Sequence, residues 1–167
     1  MRKPLILFAI AAAFATPANA QMVPSSPDVI ASAVADCWTA AGSSSVDESK
    51  LKQFGWKVGS MSSPDGKTVE TPMRFYSKSG SYVMLMLMAG ANSCTIVSRV
   101  NKLDDIGKTV GAVQKALVGL DPLVKTARSG SSIVFLSLPR IAMLDATGTK
   151  EKPGARITVG YQTPEKK

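Results

Sequence analysis

Residues 82–100, Tyr-Val-Met-Leu-Met-Leu-Met-Ala-Gly-Ala-Asn-Ser-Cys-Thr-Ile-Val-Ser-Arg-Val, decide the fold. Tyr82 to Ala89 is an apolar run of strand length, Asn92 breaks it, and Cys94 to Val100 resumes in extended pattern. Two short strands separated by so few residues must run antiparallel, because a parallel return needs a long crossover. Upstream, Trp56 and Val58 begin another strand, and Met73 to Ser77 forms the next. Ser63-Pro64-Asp65-Gly66 and Ser79-Gly80-Ser81 supply the turns between them. Four strands in a row therefore predict an antiparallel meander.

Helical spacing flanks this meander. Ser26 reads as an N-cap, followed by Pro27 in the first turn and Asp28 against the helix dipole. Ile30, Ala33, Val34, Cys37, Trp38 and Ala41 form one apolar stripe, and Gly42 is expected to stop the helix. Ser45-Val46-Asp47-Glu48 reads as a capping box opening a short second helix with Leu51 and Phe54. After the meander, Asp104 or Asp105 caps a third helix whose stripe is Ile106, Val110, Val113 and Leu117. The remainder is strand-like over Leu123 to Ala127, Ile133 to Leu138, Arg140 to Leu144 and Arg156 to Tyr161, with Ala146 to Gly154 expected as a polar loop. The expected class is α+β: an antiparallel sheet of about six to eight strands, two N-terminal helices and one mid-chain helix, in the order αα-ββββ-α-βββ(β). Similar helix-pair-plus-sheet layouts occur in small exported inhibitors and secretion chaperones, but no shared motif carries that likeness and no function follows from it.

The N-terminus sets the compartment. Arg2 and Lys3 precede an apolar run from Leu5 to Ala15, and Ala18-Asn19-Ala20 offers small residues at a signal-peptidase site. Residues 1–20 are thus expected to be a cleaved signal peptide, residues 21–26 a flexible lead, 27–162 one α+β domain and 163–167 a frayed tail. The expected location is the periplasm or the extracellular space. No later segment approaches the length of a membrane-spanning apolar run. Of the 167 residues, 45% are hydrophobic, which fits a domain with a sizeable core. The net charge of +8 falls to +6 without Arg2 and Lys3, which suits weak contact with anionic envelope surfaces better than nucleic acid, since the basic residues form no cluster. Two cysteines in an oxidising compartment point to one disulfide, Cys37 to Cys94.

No motif identifies a reaction or a ligand. The chain has no histidine, which removes the commonest general base and metal ligand. Gly66-Lys67-Thr68 and Gly107-Lys108-Thr109 lack the preceding glycine of a phosphate-binding loop. Ser49-Lys50-Leu51-Lys52 matches S-x-x-K without the partner motifs that such a serine nucleophile needs, so Ser49 and Lys52 read as the wet face of a helix. Asp47-Glu48 and Asp104-Asp105 stand where helix caps are predicted. Trp38 and Trp56 read as core anchors.

Met84, Met86 and Met88 are the one unusual pattern. On a strand they share a face, about 6–7 Å apart. With Val83, Leu85, Leu87 and Ala89 opposite them, the expectation is a central strand buried on both sides, with methionine as adaptable filler. The alternative is a soft-metal Cu(I) or small-ligand site on that thioether face. Helices cover one side of a sheet easily, so the second side calls for another layer, an envelope protein partner or a second copy. The functional expectation is a non-enzymatic protein-binding or structural module of the envelope, requiring no cofactor. Intact mass of the protein recovered from the cells that make it should correspond to a start at Gln21; recovery of full-length chain from the cytosol would contradict export.

Overall fold

The structure, a computed structural model, describes residues 22–59, 65 and 71–162. The segment 1–20 expected as a signal peptide, the tail 163–167 and most of the Ser63–Gly66 turn lie outside the described residues. The elements are α1 (Pro27–Ala40), α2 (Glu48–Gln53), β1 (Trp56–Gly59), β2 (Met73–Lys78), β3 (Met84–Met88), β4 (Ser93–Arg99), α3 (Asp105–Leu120), β5 (Lys125–Ser129), β6 (Ser132–Ser137), β7 (Arg140–Gly148) and β8 (Pro153–Tyr161). This is the α+β order read from the sequence, with the second strand set complete at four.

All eight strands join one antiparallel sheet in the order β1-β2-β3-β4-β8-β7-β6-β5. Each half of the chain is a four-stranded meander. The segment containing α3 carries the chain from β4, in the sheet centre, to β5 at the far edge, and the second meander walks back until β8 pairs with β4. Gly80 and Gly130 sit at the tips of the two Ser-Gly-Ser turns with φ of 74° and 60°, a backbone region that favours glycine over any residue with a Cβ.

Several boundaries move for local reasons. The N-cap of α2 is Asp47, whose Oδ1 accepts from the Ser49 and Lys50 amides at 3.0 and 3.3 Å. Ser45 cannot begin the helix, because Val46 is buried and bridges Ala41 in extended backbone. Helix α1 ends at Ala40, and Ala41 is already extended. Asp104 precedes α3 without a side-chain capping bond, while Asp105 pairs with Lys108 at 2.9 Å. The β5 strand starts at Lys125, not Leu123, because Asp121 Oδ1 accepts the Leu123 amide at 3.0 Å and holds a turn there. The stretch 146–154, read as a loop, is mostly ladder: Ala146 pairs with Ala155 and Gly148 with Pro153. Small residues and glycines hid the alternation there. The lead is tied to the sheet, with the Ser25 amide donating to Arg99 O at 2.9 Å and an Arg99 nitrogen donating to Met22 O at 3.2 Å.

The helices lie on one side of the sheet. Beneath them Tyr76, Leu85, Ile96, Ile157 and Leu144 form one buried cross-strand row, and Leu87, Cys94, Val159, Ala142 and Phe135 another. Helix α1 contributes Ile30, Val34, Cys37 and Trp38, and α3 contributes Val113 and Leu117. Trp56 is also buried; its Nε1 donates to Asp36 of α1 at 2.9 Å. Cys37 and Cys94 stand at disulfide-bonding distance with Cα atoms 6.4 Å apart, linking α1 to β4. Closing a loop with 57-residue separation is worth about 4 kcal/mol in the chain-entropy account. Reduction should accordingly lower the melting temperature by several degrees, and thiol titration of the denatured, unreduced protein should find none; two titratable thiols would refute the bridge.

Candidate functional site

Among the described residues, no helix covers the second face of the sheet, which is the open face. Strand register places Ser77, Met84, Val97, Arg156 and Asp145 in one row on this side. Phe75, Met86, Thr95, Thr158, Met143 and Val134 form the next row, and Met73, Met88, Ser93, Gly160, Ile141 and Leu136 the third. Met84 and Met86 are half-buried, while Met88 and Met143 are 48% and 39% exposed. The two-sided burial expected for β3 is therefore corrected. Helices α1 and α3 pack beside each other on the same side, so among the described residues the methionine face receives no helical layer. The steep penalty for truncating a fully buried methionine does not apply at Met86.

This face gathers every methionine among the described residues. Met73, Met84, Met86, Met88 and Met143 project from it, and Met22 lies at its margin. Met22, Val23, Phe75, Tyr82 and Met84 line an apolar groove of about 440 Å³ at the β2–β3 end. Tyr82, 60% exposed, stands at the groove wall. The chain pattern around Met84–Met88 was visible in sequence. The membership of Met73 and Met143 was not, because it depends on which strands are neighbours.

Charge is distributed just as unevenly. The strands carry Lys57, Arg74, Lys78, Arg99, Lys125, Arg128, Arg140 and Arg156, against a single acid, Asp145. On the helical side, Arg74 meets Glu48 of α2 at 2.7 Å and Lys78 meets Asp36 of α1 at 2.9 Å. Register sends Lys57, Arg99, Lys125 and Arg156 to the open side instead. There Asp145 accepts from Ser132 Oγ and from Arg156 at 3.0 Å. These bonds, the Ser132 one foremost, hold its carboxyl below the usual carboxylate value.

Several of the other candidates have structural partners. Ser49 Oγ donates to Asp47 Oδ1 at 2.5 Å, and Ser49 and Lys52 are both exposed on α2. Glu48 accepts from the Tyr76 hydroxyl at 2.5 Å, and burial followed by this carboxylate pushes the Tyr76 phenol up to about 12. Gly107-Lys108-Thr109 lies inside α3, where Thr109 Oγ1 donates to Asp105 O at 2.7 Å. Gly66-Lys67-Thr68 lies outside the described residues. Trp38 is buried and unavailable for stacking a ligand. Among the described residues, no group of three or more Asp, Glu or Cys converges on a metal position.

No family model, curated protein or solved structure matches the chain.

Asp145 offers a test of the open-face electrostatics. A carboxyl whose native pKa is depressed contributes stability above its ordinary value of 3.8 and loses it as pH falls through the lower native value. Asp145→Asn should be less stable than wild type at neutral pH by about 1 kcal/mol, with the gap closing in acid. Denaturant midpoints measured across that range check it; a gap that widens on acidification would contradict the assignment.

Proposed function

We propose that the protein is a non-enzymatic, exported binding module whose open sheet face docks on an envelope protein presenting apolar side chains flanked by carboxylates. The observation that carries this reading is the composition of that face: all six described methionines at or on it, and one acid among its cations. Methionine side chains have three rotatable bonds and a polarizable sulfur, so a methionine-rich surface adapts to differently shaped apolar groups. Lys57 and Lys125, near opposite edges of the sheet, favour a negatively charged partner and steer its approach.

Two other occupants fit less well. A second copy docked face to face about a two-fold axis would set a positively charged surface against itself. A lipid bilayer would leave Ser93, Thr95 and Thr158, in the middle of the face, against acyl chains that offer no hydrogen bonds. A protein surface supplies both carboxylates and polar backbone groups. An enzymatic reading has less support, because three of the four acids singled out in the sequence, Asp47, Glu48 and Asp105, serve a cap or ion pairs.

A photoreactive residue placed at Met143, on the open face, should crosslink one envelope protein, whereas the same residue at exposed Lys115 of α3 should not. The isolated pair should then bind with an affinity that drops about tenfold or more in the double variant Lys57→Glu, Lys125→Glu and falls with added salt. Capture only from Lys115, crosslinks between copies of the chain itself, or a complex indifferent to the charge reversals would each overturn the proposal.

A further inference from the structure

We propose that Met73, Met86 and Met88 form a thioether site for a soft monovalent cation, Cu(I) or Ag(I), independent of the docking reading. The three methionines first noticed in the sequence cannot do this together. Met84 and Met88 are four residues apart on one strand, about 13 Å, so their sulfurs would have to lie flat along the strand to share an ion. The register supplies a better third ligand. Met73 of β2 is the direct cross-strand partner of Met88, which puts their Cβ atoms about 5 Å apart. Met86 stands on the same face two residues along β3, about 6–7 Å from Met88. These three side chains form a compact triangle, and each is long enough to turn its sulfur toward the centre. Met84, by contrast, lies opposite Ser77 by continuation of the same register, with no thioether across from it.

The surroundings fit a soft ion. Phe75 pairs with Met86 and walls one side of the triangle with an apolar ring. Arg74, between Met73 and Phe75 in sequence, projects to the helical face and is held there by Glu48 at 2.7 Å, so its charge does not face the triangle. Met88 is 48% exposed while Met73 and Met86 are half-buried, which leaves an entry path from solvent and a protected floor. Neutral thioethers select Cu(I) and Ag(I) over hard divalent ions, and they need no deprotonation to bind. With both cysteines paired, no free thiol competes for the ion.

Ag(I) is the probe, because it requires no reductant and leaves the disulfide intact. Calorimetric titration of the disulfide-bonded protein should show one equivalent bound. Met73→Leu and Met88→Leu should each weaken binding about tenfold or more, while Met84→Leu and Met143→Leu should leave it unchanged. Leucine conserves volume at these partly exposed positions, so the fold should survive, and circular dichroism checks that it does. X-ray absorption of the silver-loaded wild type gives a readout that needs no variant: three sulfur neighbours are expected. Absence of binding, a silver shell of oxygen or nitrogen, retention of full affinity in Met73→Leu, or an equal loss in Met84→Leu would overturn the site. Charge reversal at Lys57 and Lys125 should not alter silver binding, which separates this result from the fate of the docking proposal.

Discussion

Seven consecutive residue pairs between β4 and β8, from Ser93–Gly160 to Arg99–Gly154, hold the two halves of the chain in one sheet. Each meander alone would expose an apolar edge; joined, their last strands become the centre. That ladder puts Ile96 against Ile157 and Cys94 against Val159 under the helices, and Thr95 against Thr158 on the opposite side. Gly160 lies so close to Ser93 that an added Cβ would come within 3.2 Å of the serine Cβ, which explains a glycine in a central strand. The disulfide-distance pair clamps α1 to this same ladder through Cys94.

The one-sided helical layer follows from where the chain must travel. Helices α1 and α2 precede β1, and α3 spans the connection from the sheet centre to its far edge. Helix α1 lies over β4 and β8, α2 packs against α1 and β1, and α3 packs against α1. Acids accumulate in these helices at caps and ion pairs, so they neutralise Arg74 and Lys78 on the covered side. The open side keeps Lys57, Lys125 and the Asp145–Arg156 pair. Its apolar character is a consequence of methionine, valine and isoleucine at positions that strand alternation turns away from the helices. A broad apolar face with a basic border is unusual for a surface left wholly to water, and both proposals made for this chain start from it.

Much of the architecture was legible locally. The N-cap at Ser26, the helical stripe through Cys37 and Trp38, the period-two runs of β2, β3 and β4, and the Ser-Gly-Ser turns are short-range signals, each readable within a dozen residues. Misreadings arose where a local signal was weak or double. Val46 prefers a bridge to Ala41 over the helix, and the small residues of 146–154 conceal two paired strand ends. The pairing of the cysteines rested on their even number and on one lying in a helix stripe that could pack on a strand.

The sequence by itself determined the class, the order of elements, the apolar stripes of the helices, the two faces of β3, and the lack of any histidine-based chemistry. Only the tertiary structure decided which face of β3 remained uncovered. Alternation says that Met84, Met86 and Met88 share a side; it cannot say whether a layer covers that side, because covering depends on where distant segments pack. Likewise Met73 joins Met88, and Met143 joins the same face, through strand neighbours set by hydrogen-bonded register rather than by spacing along the chain. The segregation of charge is of the same kind. Each lysine and arginine was visible in the chain, but whether it met a helical acid or faced outward was settled by the parity of its position once the sheet had formed.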